Sequence, residues 1–170
     1  TDAGTTRSDL EKAINEQTGA LYYFYNVTRM HNQVPLEEGI EIAHRHGVPV
    51  IVDAAAQIPP VENLWRFTQM GADLVLFSGG KGLCGPQSSG LILGRRELIE
   101  ACGFNACPRA FIGRPMKVGK EEMVGLLKAV ELYLKIDQEA RASQDEETVI
   151  GWNTRLNAID GITANRSYPN

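Results

Sequence analysis

The sequence predicts an α/β fold: a mostly parallel sheet with helices on both faces, followed by the start of a small C-terminal α+β domain. Three observations predict it. Apolar runs at 20–27, 48–53 and 73–77 are continuous rather than alternating, as strands covered on both faces require. Two amphipathic segments of about ten residues separate them, closed by Gly47 and Gly71. Strands that alternate with helices imply right-handed crossovers and chemistry at the carboxyl ends of the strands.

Each element has its own local cause. A Thr or Ser cap opens a helix within 5–17, with Leu10, Ala13 and Ile14 at helical spacing, and it ends near Gly19. The aromatic and β-branched run 20–27 is the first strand. Pro35 starts a helix over 36–46, because a residue without an N–H costs nothing in a first turn. The second strand, 48–53, ends on Asp53. Pro59 and Pro60 break the chain before a helix over 63–70, and the third strand, 73–77, runs into the loop 78–90, which holds five glycines in thirteen residues. A short strand at 91–94 and a short helix at 95–102 follow. From 119 to 141, Met123, Leu126, Leu127, Val130 and Leu134 recur at three and four residues, with Glu131 and Lys135 on the outer face, which predicts one long amphipathic helix. The polar stretch 143–147 reads as a hinge, 149–158 as helical and 161–164 as the beginning of a strand.

Composition narrows the function. The chain has 170 residues, 43% hydrophobic and 22% charged, enough for a real core. Its net charge of −4 supplies no basic field for nucleic acid or an anionic membrane. No apolar run approaches the roughly 18 residues of a membrane span, and the N-terminus lacks signal-peptide character, so a cytoplasmic location is expected. Cys84, Cys102 and Cys107 form no C-x-x-C pair and are read as reduced; with His31, His44 and His46 they match no metal motif. Asn26-Val27-Thr28 and Asn165-Arg166-Ser167 match the glycosylation triplet, which matters only in a secreted chain.

Lys81 in its glycine-rich loop invites a phosphate-loop reading, which fails because Gly82 stands where a Ser or Thr is needed. The dinucleotide fingerprint fails too, since Gly79 and Gly80 are adjacent and the acidic residue precedes the loop. What remains is Asp53 at the end of one buried strand and Lys81 just past the end of the next. Pyridoxal 5'-phosphate needs such a pair: a lysine for its aldehyde and a carboxylate to keep its ring nitrogen protonated.

The segments 50–57 (VIVDAAAQ), 71–81 (GADLVLFSGGK), 85–90 (GPQSSG) and 113–122 (GRPMKVGKEE) resemble the aspartate-aminotransferase-like, fold type I pyridoxal phosphate enzymes. Within these they are most similar to the selenocysteine-synthase-like group that contains D-glucosaminate-6-phosphate ammonia-lyase. The resemblance implies that Lys81 carries the cofactor as a Schiff base and later moves the substrate Cα proton, while Asp53 pairs with the ring nitrogen. It further implies that Ala55 lies against a ring face, that Ser78 contacts the phosphate with Gly80 beside it, and that Gln57 reaches the phenolic oxygen. Arg114, Lys117 and His31 are candidate substrate contacts, and 85–89 has the composition of an anion-binding loop that serves a neighbouring subunit.

Under this resemblance, 1–142 is the central part of a cofactor-binding large domain with its linking helix, and 143–170 opens a small C-terminal domain. The chain is then expected to be the middle of a longer enzyme, because this fold's first helix and strand and its phosphate-binding turn come earlier. The implied reaction is β-elimination on a small amino acid or amino sugar acid, with release of ammonia, by a homodimer or higher homo-oligomer. Selenium transfer on seryl-tRNA, racemisation and transamination are alternatives. The non-enzyme alternative is an α/β module that merely holds an anion at 78–90.

Overall fold

A computed structural model describes residues 4–26 and 33–167; His31 lies outside them. In chain order the elements are α1 (Arg7–Ala13), β1 (Leu21–Phe24), α2 (Leu36–Arg45), β2 (Val50–Asp53), α3 (Asn63–Gln69), β3 (Leu74–Ser78), β4 (Gly90–Gly94), α4 (Arg96–Asn105), α5 (Lys120–Tyr133) and α6 (Gln138–Asn157). The sheet order is β1-β2-β3-β4, with β1, β2 and β3 parallel and β4 antiparallel to β3. This is the expected α/β architecture with a mostly parallel sheet.

The sheet sorts its side chains by parity. Tyr23, Val50, Val52, Val75 and Phe77 are buried on one face, beneath Leu36, Ile40 and Ala43 of α2 and Leu64 and Phe67 of α3. Gly39 of α2 faces Leu21 and Tyr23, where a Cβ would make ordinary contact at 3.7–3.8 Å. The Phe67 ring meets Tyr25 edge-on at 4.9 Å. On the opposite face Tyr22 and Phe24 are 57% and 51% exposed, so β1 departs from the expectation of a strand covered on both sides. The unbroken aromatic run hides that alternation, because Tyr and Phe occupy both parities.

Further departures lie after the sheet. The predicted helix over 119–141 is two helices, because Asp137 accepts from the Ala140 N–H at 3.0 Å and caps a new start after the turn at 134–137. The predicted hinge 143–147 lies inside α6; its Gln, Asp and Glu residues suit a solvated helix as well as a linker, and Glu146 pairs with Arg166. The predicted strand at 161–164 does not form. Gly161 turns the chain at φ +82°, and the Asn157 amide then both donates to and accepts from the Ala164 backbone at 2.9 Å.

Asp73, 3% exposed, clasps three elements. Its carboxylate accepts from the Val50 N–H at 2.7 Å, Arg95 Nη1 at 2.8 Å and His44 Nε2 at 2.8 Å. Burial pushes its pKa up, but hydrogen bonds from Arg95, His44 and the Val50 amide outweigh this, and the net displacement is below the usual 3.8. Asp73→Ala leaves a buried N–H unpaired and should cost about 2–4 kcal/mol, lowering Tm by roughly 5–15 °C. A depressed carboxylate stabilises the fold above its unfolded pKa, so this contribution should be intact above pH 3.8 and fade as pH falls through the lower folded value. Urea midpoints measured against pH should therefore be flatter below 3.8 in the variant than in the parent.

Candidate active site

Parallel pairing puts the carboxyl ends of β2 and β3 side by side, with Asp53 registered between Phe24 and Leu76. In this register Tyr22, Asp53, Leu76 and Ser78 share the less covered sheet face. Asp53 is half-buried, and each of its oxygens accepts a hydrogen bond: Oδ1 from the Ala55 N–H at 3.0 Å, Oδ2 from Tyr22 Oη at 2.5 Å. The first is the local Asx turn that an Asp at a strand end forms by itself. The second spans 31 residues and fixes the carboxylate from the neighbouring strand. The hydrogen bond to Asp53, helped by burial and by the nearby charge, raises the Tyr22 phenol above its usual 10.0.

After Ser78 the chain folds upon itself. Gly79 N–H donates to Ser89 O at 2.9 Å, Gly85 N–H to Gly79 O at 2.7 Å, and Gln87 Nε2 to Gly80 O at 3.1 Å. A Cβ on Gly79 would come within 2.1 Å of Ser89 Oγ, and one on Gly82 within 2.1 Å of the Ile58 carbonyl oxygen. The glycines are thus required by the loop's own packing. Lys81 stands exposed on this scaffold, at a turn closed by the Cys84 N–H on its carbonyl at 2.8 Å, and among the described residues it enters no ion pair. Ser88 donates to Glu122, which also takes the Gly119 N–H; these two bonds hold the Glu122 carboxyl below its usual range and fasten the loop to the start of α5. Because Ser88 donates to Glu122 and Ser89 donates to Pro86 O at 2.6 Å, both hydroxyl protons that the sequence offered to an anion are engaged within the protein.

The remaining sequence candidates fall as follows. Ala55 follows Asp53 by two residues and supplies the N–H of its turn. Ser78 ends β3, half-buried, its N–H on Ala55 O at 3.4 Å. Gly80 lies beneath Gln87. Gln57 Nε2 donates to Tyr25 O at 3.1 Å, which ties its amide to the end of β1. Arg114 and Lys117 are exposed in the connection between α4 and α5, where Arg114 Nη1 meets Cys107 Sγ at 3.3 Å; no hydrogen bond or ion pair joins either to Asp53, Lys81 or Ser78. A cavity of about 350 Å³ between Pro59, Pro60, Gly82, Tyr133 and Arg141 includes none of these three.

Tyr22 is the residue that sequence reasoning missed. Its signal was parity: it shares a face with Asp53, but only the β1–β2 register reveals this. Among the described residues no group of three or more His, Cys, Asp or Glu could hold a metal ion, and no helix is long and apolar enough to cross a membrane.

A mostly parallel sheet, with a carboxylate at one strand end and a lysine loop after the next, defines an α/β protein whose strand carboxyl ends gather these groups. The chain belongs to the L-seryl-tRNA selenium transferase (SelA) family, which it matches over residues 1–144. It is 43% identical over 162 residues to a Streptomyces 5'-C-glycyluridine monooxygenase-decarboxylase, covering 94% of this chain and 39% of that protein. It is 37% identical over 164 residues to D-glucosaminate-6-phosphate ammonia lyase of Salmonella typhimurium, covering 94% of this chain and 40% of that protein. A solved structure of a D-glucosaminate-6-phosphate ammonia-lyase superposes with a TM-score of 0.74 at 35% identity, over 97% of this chain and 42% of that one. The chain thus spans about two fifths of the length of these curated relatives.

Proposed function

We propose that this chain carries the lysine and carboxylate of a pyridoxal 5'-phosphate-dependent lyase acting at Cα and Cβ of an amino acid or amino sugar acid. The observation that carries the reading is the juxtaposition of Asp53 and the Lys81 loop at the carboxyl ends of adjacent parallel strands. The donor set suits the cofactor: the Asp53 oxygens each keep a lone pair beyond the bonds from Ala55 and Tyr22, and among the described residues Lys81 enters no ion pair. The 37% identity to an ammonia lyase supports elimination.

When bound, the cofactor withdraws electrons from the substrate Cα and acidifies its proton. Lys81 Nζ would hold the cofactor by its aldehyde group and, as a free amine, would take the Cα proton. Asp53 would keep the ring nitrogen protonated. Two unit charges about 4 Å apart at an effective dielectric of ~20 attract by ~4 kcal/mol, enough for a carboxylate to keep that proton through neutral pH. Ala55 is small enough to let a ring lie against it, Ser78 and Gly80 would contact the phosphate, and Gln57 would serve the phenolic oxygen. Arg114, Lys117 and His31 remain the proposed substrate contacts. In this reading 1–142 belong to the large domain, 143–170 open the small one, and the protein works in the cytoplasm as a homodimer or larger homo-oligomer.

One observation favours a second reading, an oxygen-consuming decarboxylation: the 43% identity to a protein named as a 5'-C-glycyluridine monooxygenase-decarboxylase. A single panel separates the two. The complete protein carrying this chain is incubated with phosphorylated amino sugar acids and simple amino acids in deuterated water. Ammonia, 2-keto acid, carbon dioxide, oxygen uptake and Cα deuterium are followed together. Elimination predicts equal ammonia and keto acid without an added acceptor. Carbon dioxide with oxygen uptake would support the second reading instead, and deuterium exchange with inversion and no ammonia would make the protein a racemase.

A further inference from the structure

We propose that Tyr22 is a positioning residue, whose hydroxyl holds the Asp53 carboxylate in the orientation that meets the cofactor's ring nitrogen; this rests on the assignment of Asp53 above. The geometry is specific. Phe24 is the register partner of Asp53 on β1 and has no donor to offer, so the hydrogen bond comes from Tyr22, one pleat back on the same face. The last torsion of an aspartate side chain is broad and soft. A bond from the Ala55 N–H to Oδ1 anchors one oxygen, and the second bond, Tyr22 Oη to Oδ2 at 2.5 Å, fixes the plane of the group. The bond is charge-assisted and therefore among the stronger kinds. Tyr22 is 57% exposed and sits outside the buried core, so packing does not require a tyrosine there.

The test compares Tyr22→Phe, Asp53→Asn and the double variant in the complete protein. The phenylalanine keeps the ring and the strand propensity and removes only the hydroxyl. Tyr22→Phe should lower kcat roughly tenfold to a hundredfold, the effect of one charge-assisted hydrogen bond, with KM changed less than about threefold. It should also weaken cofactor affinity several-fold in an absorbance titration, and the double variant should be no slower than Asp53→Asn alone, because Tyr22 acts through Asp53. A readout without cofactor checks the contact itself: the phenol titration that Tyr22→Phe removes should lie above 10.0 in the parent and move down in Asp53→Asn. Parental kcat in Tyr22→Phe, or losses that multiply in the double variant, would overturn the proposal while leaving Asp53 in place. Parental kcat and cofactor affinity in Asp53→Asn would overturn the assignment of Asp53 and the role of Tyr22 together.

Discussion

Replacing Lys81 by arginine is expected to abolish turnover while leaving the fold intact. The side chain is exposed and enters no ion pair among the described residues, so the substitution disturbs no packing. Arginine keeps the positive charge but stays protonated at any working pH, and its guanidinium can neither hold an aldehyde as a lysine amine does nor accept a Cα proton. A loss of at least about a thousandfold in kcat/KM follows from removing both the covalent tether and the general base. The same variant tests the rival reading, in which the loop only clasps an anion: a clasp built on charge works with either residue. Steady-state kinetics with a thermal melt decide the matter. Activity within tenfold of the parent would contradict the amine role of Lys81, and an unchanged Tm with lost activity would favour it.

Asp53→Asn carries the second largest expected effect, and it separates two roles that Lys81→Arg merges. Asparagine has nearly the same shape and can still accept from the Ala55 N–H, so the turn after β2 should persist. What disappears is the charge. Losing an attraction of ~4 kcal/mol at the ring nitrogen corresponds to about a thousandfold in rate. On the proposed assignment the cofactor should nevertheless stay attached, because Lys81 and not Asp53 would tether it. Visible absorbance near the parental level with turnover down about a thousandfold is the expected pair of results; unchanged turnover would remove Asp53 from the site.

The parts of this architecture that were legible in the sequence are those fixed by local chemistry. Val50, Val52, Val75 and Phe77 announce buried strands, and Asp53 and Lys81 stand where such strands end. What was illegible depends on register or on competing local optima. Tyr22 could be tied to Asp53 only through the β1–β2 pairing, and the aromatic run around it masks its parity. The apolar period of α5 runs on past Tyr133, so the break at 134–137 is set by Asp137 capping a new helix and not by a change of pattern. Residues 143–147 suit a hinge as well as the helix they form, because solvated helix and linker share a composition. The glycines of 79–85 read as room for a phosphate, yet the atoms a Cβ would strike belong to Ser89, Gln87, Ile58 and the loop's own backbone.

The central claim is that Lys81 is the amine that holds the cofactor. The most direct measurement is borohydride reduction of the complete protein loaded with pyridoxal 5'-phosphate, followed by proteolysis and mass mapping. A pyridoxyl group is expected on Lys81, absent from the Lys81→Arg variant treated in the same way. A pyridoxyl group confined to another lysine of an active protein, or none on any lysine, would contradict it.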